Sequence, residues 1–303
     1  MTKVIKKLPI PIAGLMLALA AKGNLVLSYG SVYRNIFGSI SAILFILLIM
    51  KAITNPKSVS DGLNSPVVAS VMPTFSMGMM LLATYLKPYL PSLSFYMWIV
   101  AIVLHCIFII VFTKRYIFKF DIKKVFPSYF VVYVGIVVAS VTAPAFNMLS
   151  LGQYIFWFGF VSYLVLLPIV LYRVFAVRAI PEPALPTLVI FAAPASLCLA
   201  GYINSFQQKS MAILSFLTAL SLLMLACVLL YFPKLLKLKF YPSYSAFTFP
   251  LVISAIAIKL TNGFLVNAGK VTHLKYIVKI EELLAVSVVI YVLVRYTQFL
   301  FTD

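Results

Sequence analysis

Apolar positions in this chain do not alternate with polar ones at a helical or strand period. They run on in blocks of about 20 residues, the length that spans a hydrocarbon core. Ten such segments follow one another, at roughly 9–28, 35–53, 66–86, 93–113, 127–149, 152–176, 184–206, 211–232, 244–266 and 276–300. Continuous apolarity at this length predicts transmembrane helices, because only a helix or a closed barrel satisfies its own backbone in lipid. The first segment is the least regular, since Lys22, Gly23 and Asn24 interrupt it. Connecting stretches are short, with 55–64 and 114–126 among the longer ones. The expectation is an all-α integral membrane protein, residues 1–303 forming a single transmembrane domain of ten spans.

Proline sorts the segments into two kinds. Pro73 lies inside segment three, Pro144 late in segment five, Pro194 midway in segment seven and Pro250 in segment nine, while Pro9 and Pro11 open segment one. Segments two, four, eight and ten, with the bounds above, have no internal proline, and segment six has only Pro168. Proline removes a backbone donor and bends a helix, and in lipid the freed carbonyl needs a partner or water. Kinked odd segments alternating with straight even ones suggest five repeated hairpins. The kinked members would line a central feature and the straight ones would surround it.

Composition agrees with a membrane setting. Apolar residues make up 64% of 303 positions and charged residues 10%, with a mean hydropathy of +1.11; a soluble domain carries about 25% charged residues. Lys and Arg number 24 against six acidic residues, for a net charge of +18. With the N-terminus placed inside, sixteen of these cations fall on the cytoplasmic side and eight on the other: Lys22, Arg34, Lys87, Lys209, Lys259, Lys270, Lys275 and Lys279. That bias predicts both termini in the cytoplasm and an even number of spans. Lys3, Lys6, Lys7 and the later Ala18-Leu19-Ala20 imitate a signal peptide, but the further spans and the prolines at the helix start favour a retained first helix. The basic residues form short clusters with no folded basic domain to present them, which argues against nucleic-acid binding.

Catalytic chemistry has little to stand on. The acidic residues are Asp61, Asp121, Glu182, Glu281, Glu282 and Asp303, and most lie in loops or at the end. His105 and His273 lack carboxylate partners at metal-ligand spacing, and no glycine-rich phosphate loop follows a strand. Cys106, Cys198 and Cys227 sit in separate apolar segments and read as small buried hydrophobes. No metal, cofactor or enzymatic activity is expected. Coupled carriers usually place ionisable groups within the membrane, and the candidates here are Lys259, Lys279, Glu281 and Glu282. Lys259 lies nine residues past Pro250, about 14 Å along a helix, so it belongs near a helix end. It reads either as snorkelling or paired with a glutamate, or as part of a basic collar that gathers anions. A passage without buried charge but with bent helices and aromatics suits a weakly selective conduit closed by a hydrophobic constriction.

Several short stretches are similar to one known family. Ser245-Ala246-Phe247-Thr248-Phe249-Pro250, followed by Ser254-Ala255-Ile256-Ala257, resembles the ninth helix of the tellurite-resistance/dicarboxylate transporter (TDT) family. That family holds TehA-like bacterial proteins and the plant slow anion channels. Phe191-Ala192-Ala193-Pro194-Ala195-Ser196 with Gly201-Tyr202 resembles its seventh helix. Ser65-Pro66 with Pro73, Phe126-Pro127-Ser128-Tyr129 and Ile10-Pro11-Ile12-Ala13-Gly14 fit the third, fifth and first. The resemblance implies five hairpins around a quasi-fivefold axis, odd helices lining a central pore, and a homotrimer in the cell membrane with one pore per subunit. It also implies a phenylalanine gate on helix nine, carried here onto Phe249 with Phe247 as runner-up. Residues i and i+2 differ by roughly 200° around a helix, so only one of the two should face the pore. Lys259 is a charge the family pattern does not predict. Three functions stay open at this point: a channel for small anions such as chloride or nitrate; a secondary carrier of C4-dicarboxylates (malate) or tellurite-type oxyanions, with Glu281 and Glu282 as coupling groups; and a membrane enzyme or sensor, for which no catalytic cluster speaks.

Overall fold

The computed structural model describes residues 2–302; Met1 and Asp303, and the side chains of Thr2 and Lys3, lie outside the description. Every described element is helical. Among the described residues, eight helices are long and apolar enough to cross a membrane: Ile12–Tyr29, Ser31–Thr54, Pro66–Leu86, Pro91–Ile117, Leu149–Val177, Glu182–Ser205, Met211–Leu235 and Pro242–Asn267. They occupy eight of the ten expected segments to within a few residues. Segment five is instead a chain of short pieces, Tyr129–Tyr133, Gly135–Val137, Val138–Thr142 and Ala143–Phe146. Segment ten is one 28-residue helix, Leu274–Phe301, which carries five charged side chains. The helix of segment eight continues through Pro233, one residue past the expected boundary.

Two layers follow from burial. Segments one, three, seven and nine have 56–89% of their membrane-length window buried, against 28–33% for segments two, four, six and eight. The even segments are the more apolar, which is what a lipid-facing surface requires in the absence of any other solvent. The odd segments pack in sequence, one on three, three on five, five on seven, seven on nine, and nine back on one, so they close a ring. Lys7 Nζ donates to the Thr302 carbonyl at 2.5 Å, which brings both ends of the chain to the same end of the bundle. We call this the termini end, and the opposite one the far end.

Small polar side chains fasten the layers. Ser41 of segment two donates to the Met16 carbonyl at 2.7 Å, and Ser221 of segment eight meets Ser196 at 2.7 Å. Such contacts contribute about 0.6 kcal/mol each in a membrane bundle. Small residues let the rods approach: a Cβ on Gly78 would stand 2.3 Å from Met16 Cε, and one on Gly201 would stand 2.6 Å from Val137 Cγ1.

Candidate functional site

The inner segments are not uniform rods, and proline explains where they change. Segment seven runs as a 3₁₀ helix over Glu182–Ala192 and as an α-helix over Ala193–Ser205, with Pro194 in the first turn of the second part. Segment nine does the same, with a 3₁₀ stretch at Pro242–Phe247 and an α-helix at Phe249–Asn267 that carries Pro250 in its first turn. Pro73 directly precedes the α-helix Thr74–Leu86, and Pro11 directly precedes Ile12–Leu25. A first-turn proline forfeits no intrahelical bond and presets the helical φ. Pro73, Pro194 and Pro250 therefore begin α-helices part-way along the inner segments, and Pro11 begins one at the start of segment one.

Pro144 is different. It lies in the 3₁₀ turn Ala143–Phe146, is exposed, and sits close to the far end of segment five. The irregularity in that segment comes earlier, at Gly135–Val137, where no proline stands. Gly135 brings segment five close to segment three there: a Cβ on it would come within 2.7 Å of Met77 Sδ. His105, fully buried on segment four, places Nε2 3.1 Å from the Val132 carbonyl and Nδ1 2.9 Å from Ser76 Oγ. A carbonyl only accepts, so the proton is on Nε2. Sequence reasoning passed over His105 for want of a carboxylate, yet it bridges segments three and five at their irregular point.

Where the ring closes there is a cavity of about 50 Å³, and all five inner segments line it, among others through Gly14, Thr74, Val134, Pro194 and Phe249. Of the other inner-segment prolines, Pro11 and Pro250 also line it and Pro73 and Pro144 do not. No lining residue is ionisable. The hydroxyls that border it donate to backbone carbonyls: Thr74 to Val71 at 2.7 Å and Thr187 to Ala184 at 2.6 Å within their own segments, and Ser243 across to Pro183 of segment seven at 2.5 Å. At about 10–15 Å³ per water, the space has room for roughly three to five, and its walls offer them almost nothing to bind.

Phe249 and Phe247 go to opposite sides. Phe249 faces the cavity. Phe247 is fully buried against Phe232 of segment eight, ring centroids 5.3 Å apart and edge to face, and against Tyr244 at 4.7 Å.

The charged candidates lie away from this cavity. Lys259 Nζ pairs with Glu282 at 2.6 Å and also donates to the Leu25 carbonyl at 2.9 Å and to Ser28 Oγ at 2.8 Å. Tyr29 donates to the second oxygen of Glu282 at 2.7 Å. This knot ties segments one, nine and ten. Glu281 is 4% exposed; neither of its oxygens has a hydrogen-bond partner, nor does Ser254 Oγ, which lies close enough to act on its carboxyl. Lys279 is exposed. Lys22, expected near a helix end, is fully buried, with Nζ 3.2 Å from the Val286 carbonyl and 3.9 Å from the Phe37 ring centre. Among the described residues no group of three or more His, Cys, Asp or Glu side chains is placed to hold a metal.

A ring of five inner segments about an apolar constriction can be compared with known proteins. The profile of one family, described as voltage-dependent anion channel (SLAC1), matches residues 10–297. The chain belongs to that family. It is accordingly a multi-pass membrane protein of an anion channel and transporter family, all-α in structure. No curated protein gives a significant match.

Proposed function

We propose that the chain is a channel for small anions of the chloride or nitrate kind, conducting along the axis of the inner ring and closed at Phe249. The observation that carries this reading is the constriction itself. Two aromatic side chains, Phe249 of segment nine and Phe130 of segment five, stand where all five inner segments meet, in a cavity of about 50 Å³ with no ionisable lining, and Phe249 is the one on the proline-started helix. An apolar neck blocks ions without binding them, and the edge of a phenyl ring is weakly positive, which tolerates a passing anion. On this reading the chain is one membrane domain of ten crossings, five hairpins about a pore, with both ends on the cytoplasmic side of the cell membrane. It assembles as a homotrimer, as the family resemblance implies, and it works without cofactor or catalysis.

The test is liposome or planar-bilayer current from purified Phe249→Ala beside wild type, in asymmetric chloride. A chloride-selective current in the variant, with little in wild type, supports pore, ion sign and gate together. Equal currents from two well-folded proteins would sink the gate assignment.

A second reading has one observation in its favour. Glu281, buried without a partner beside Ser254 of segment nine, is the sort of group a coupled carrier of C4-dicarboxylates or tellurite-type oxyanions would use. Saturable counterflow that depends on pH, and that is lost in Glu281→Gln or Glu282→Gln, would favour the carrier. Transport unchanged in both variants removes its support.

A further inference from the structure

The five inner segments all end at the far end, and a helix ends in unsatisfied carbonyls with a partial negative charge of about half a unit. Segment five ends in a short 3₁₀ turn, so the four α-helical ends of the other inner segments count, for roughly −2 charges around the axis, a field that repels anions. Each seam between neighbouring ends is bridged in this structure, and four of the five bridges are cations. Between one and three, Arg34 donates to Asn24 Oδ1 at 2.9 Å and to the Thr84 carbonyl at 3.4 Å, its guanidinium 3.9 Å from the Tyr85 ring centre. Between three and five, Lys87 donates to the Ala145 carbonyl and stands 5.9 Å from the Phe146 ring centre. Between seven and nine, Lys209 donates to the Phe206 carbonyl at 2.7 Å and lies 5.1 Å from the Phe264 ring centre. Between nine and one, Lys259 donates to Leu25 and lies 5.6 Å from the Tyr29 ring centre. The fifth seam is neutral: Ser205 donates to the Ser140 carbonyl at 2.8 Å, and Gln153 donates to the Ser205 carbonyl at 3.0 Å.

We propose that Arg34, Lys87, Lys209 and Lys259 form a cationic rim that cancels the carbonyl ends of the inner helices and lets small anions collect at the far mouth. The proposal rests on the anion-pathway reading and adds the residues that set the sign of the mouth. Glu282 offsets Lys259, which leaves three rim cations against roughly −2 charges of inner helix ends. The inner helix ends are thus slightly overcompensated with the rim and negative without it, while exposed Lys270, Lys275 and Lys279 add positive charge at the same end. The repeated pairing of each cation with a backbone carbonyl and an aromatic ring holds the charge in place on a short tether. Lys22 does not belong to the rim, since it points into the outer layer at Phe37 and Val286.

Collisional quenching tests this without needing an open gate. A fluorophore is attached through Gln208→Cys, an exposed position beside Lys209, in a chain also carrying Cys106→Ala and Cys227→Ala; Cys198 is fully buried and stays. Quenching by iodide, divided by quenching by neutral acrylamide, reads the local anion concentration. A cation about 10 Å from the probe enriches iodide about twofold in a water-like dielectric. At about 0.01 M ionic strength, where screening extends to about 30 Å, Lys209→Gln should therefore lower the ratio about twofold. The triple variant Arg34→Gln, Lys87→Gln, Lys209→Gln should lower it further. The loss should fade at about 1 M salt, and Lys87→Arg with Lys209→Arg should restore the wild-type ratio. Lys234→Gln with Lys237→Gln, at the termini end, should leave it unchanged. An unaltered ratio in both the folded Lys209→Gln protein and the triple variant overturns the rim, as does an equal loss in the termini-end variant. A silent Phe249→Ala channel would overturn the pathway reading and leave the quenching result standing by itself.

Discussion

The knot between Lys259 and Glu282 should break asymmetrically. Its nitrogen–oxygen distance is 2.6 Å, and the side chains are 34% and 8% exposed. In a medium of effective dielectric near 20, two unit charges about 3 Å apart attract by roughly 5–6 kcal/mol. The partial exposure of Lys259 screens part of that, and desolvation of Glu282 opposes most of the remainder. What differs between the partners is what each keeps when the other is removed. Lys259→Met leaves a carboxylate buried with only the Tyr29 hydroxyl, and it also frees the Leu25 carbonyl. That should cost about 3 kcal/mol, the low end for orphaning a buried charge. Glu282→Gln leaves Lys259 with the Leu25 carbonyl, Ser28, water, and an amide oxygen in place of the carboxylate, for a cost of about 1 kcal/mol. The double variant should fall between them, because no charge is then stranded. At roughly 2 °C per kcal/mol for a chain of this size, thermal unfolding in detergent should drop by about 6 °C, 2 °C and 4 °C for Lys259→Met, Glu282→Gln and the pair. If Glu282→Gln proves as damaging as Lys259→Met, or if the two effects simply add, the burial argument is wrong.

Two further outcomes follow from the cavity. Phe247→Ala should destabilise the protein by about 3–5 kcal/mol, because it empties a packed site against Phe232, yet it should pass no more current than wild type; a Phe247→Ala channel that conducts like Phe249→Ala would reassign the neck. Gly14→Val should throttle the Phe249→Ala channel, since a Cβ on Gly14 already stands 3.1 Å from Ser245 Cβ across the cavity wall; an undiminished current through a folded Gly14→Val, Phe249→Ala protein would place the ion path elsewhere.

Much of the architecture could be read from residue types because lipid imposes it. Continuous apolar blocks marked the helices, and the alternation of proline separated the segments that prove buried from those that face lipid. The i, i+2 relation of Phe247 and Phe249 required them to diverge, as they do. Segment five shows where such reading stops. Pro144 was the visible signal, but the irregularity falls at Gly135–Val137, where a glycine lies against Met77 and His105 arrives from another helix. Nothing local to segment five announces either. The rim was hidden for a similar reason. Arg34, Lys87 and Lys209 follow or precede apolar blocks as ordinary flanking cations do, and counting them as loop charge weakened the orientation bias. Their partners lie on neighbouring segments, out of reach of any one-dimensional pattern.

Opening such a neck cannot be a matter of one side chain turning. A cavity of about 150 Å³ is needed to hold a benzene-sized group, three times the roughly 50 Å³ beside Phe249. The ring has nowhere to swing while the five segments stay as they are, so the wall must yield first. The far end is the stiffer half, with every seam bridged and all four rim cations donating across to, or stacking on, a neighbouring segment. On the termini side of the cavity, segments seven and nine are 3₁₀ helices, whose hydrogen bonds are poorer than α-helical ones, and Ser243 and Tyr241 of one tie to Pro183 and Glu182 of the other. If Phe249 is the gate, the displacement that frees it therefore starts in these 3₁₀ stretches, and hydrogen exchange should find the amides of 182–192 and 242–247 less protected than those of 193–205 and 249–258. Equal protection along both segments would point instead to a ring that opens as a unit.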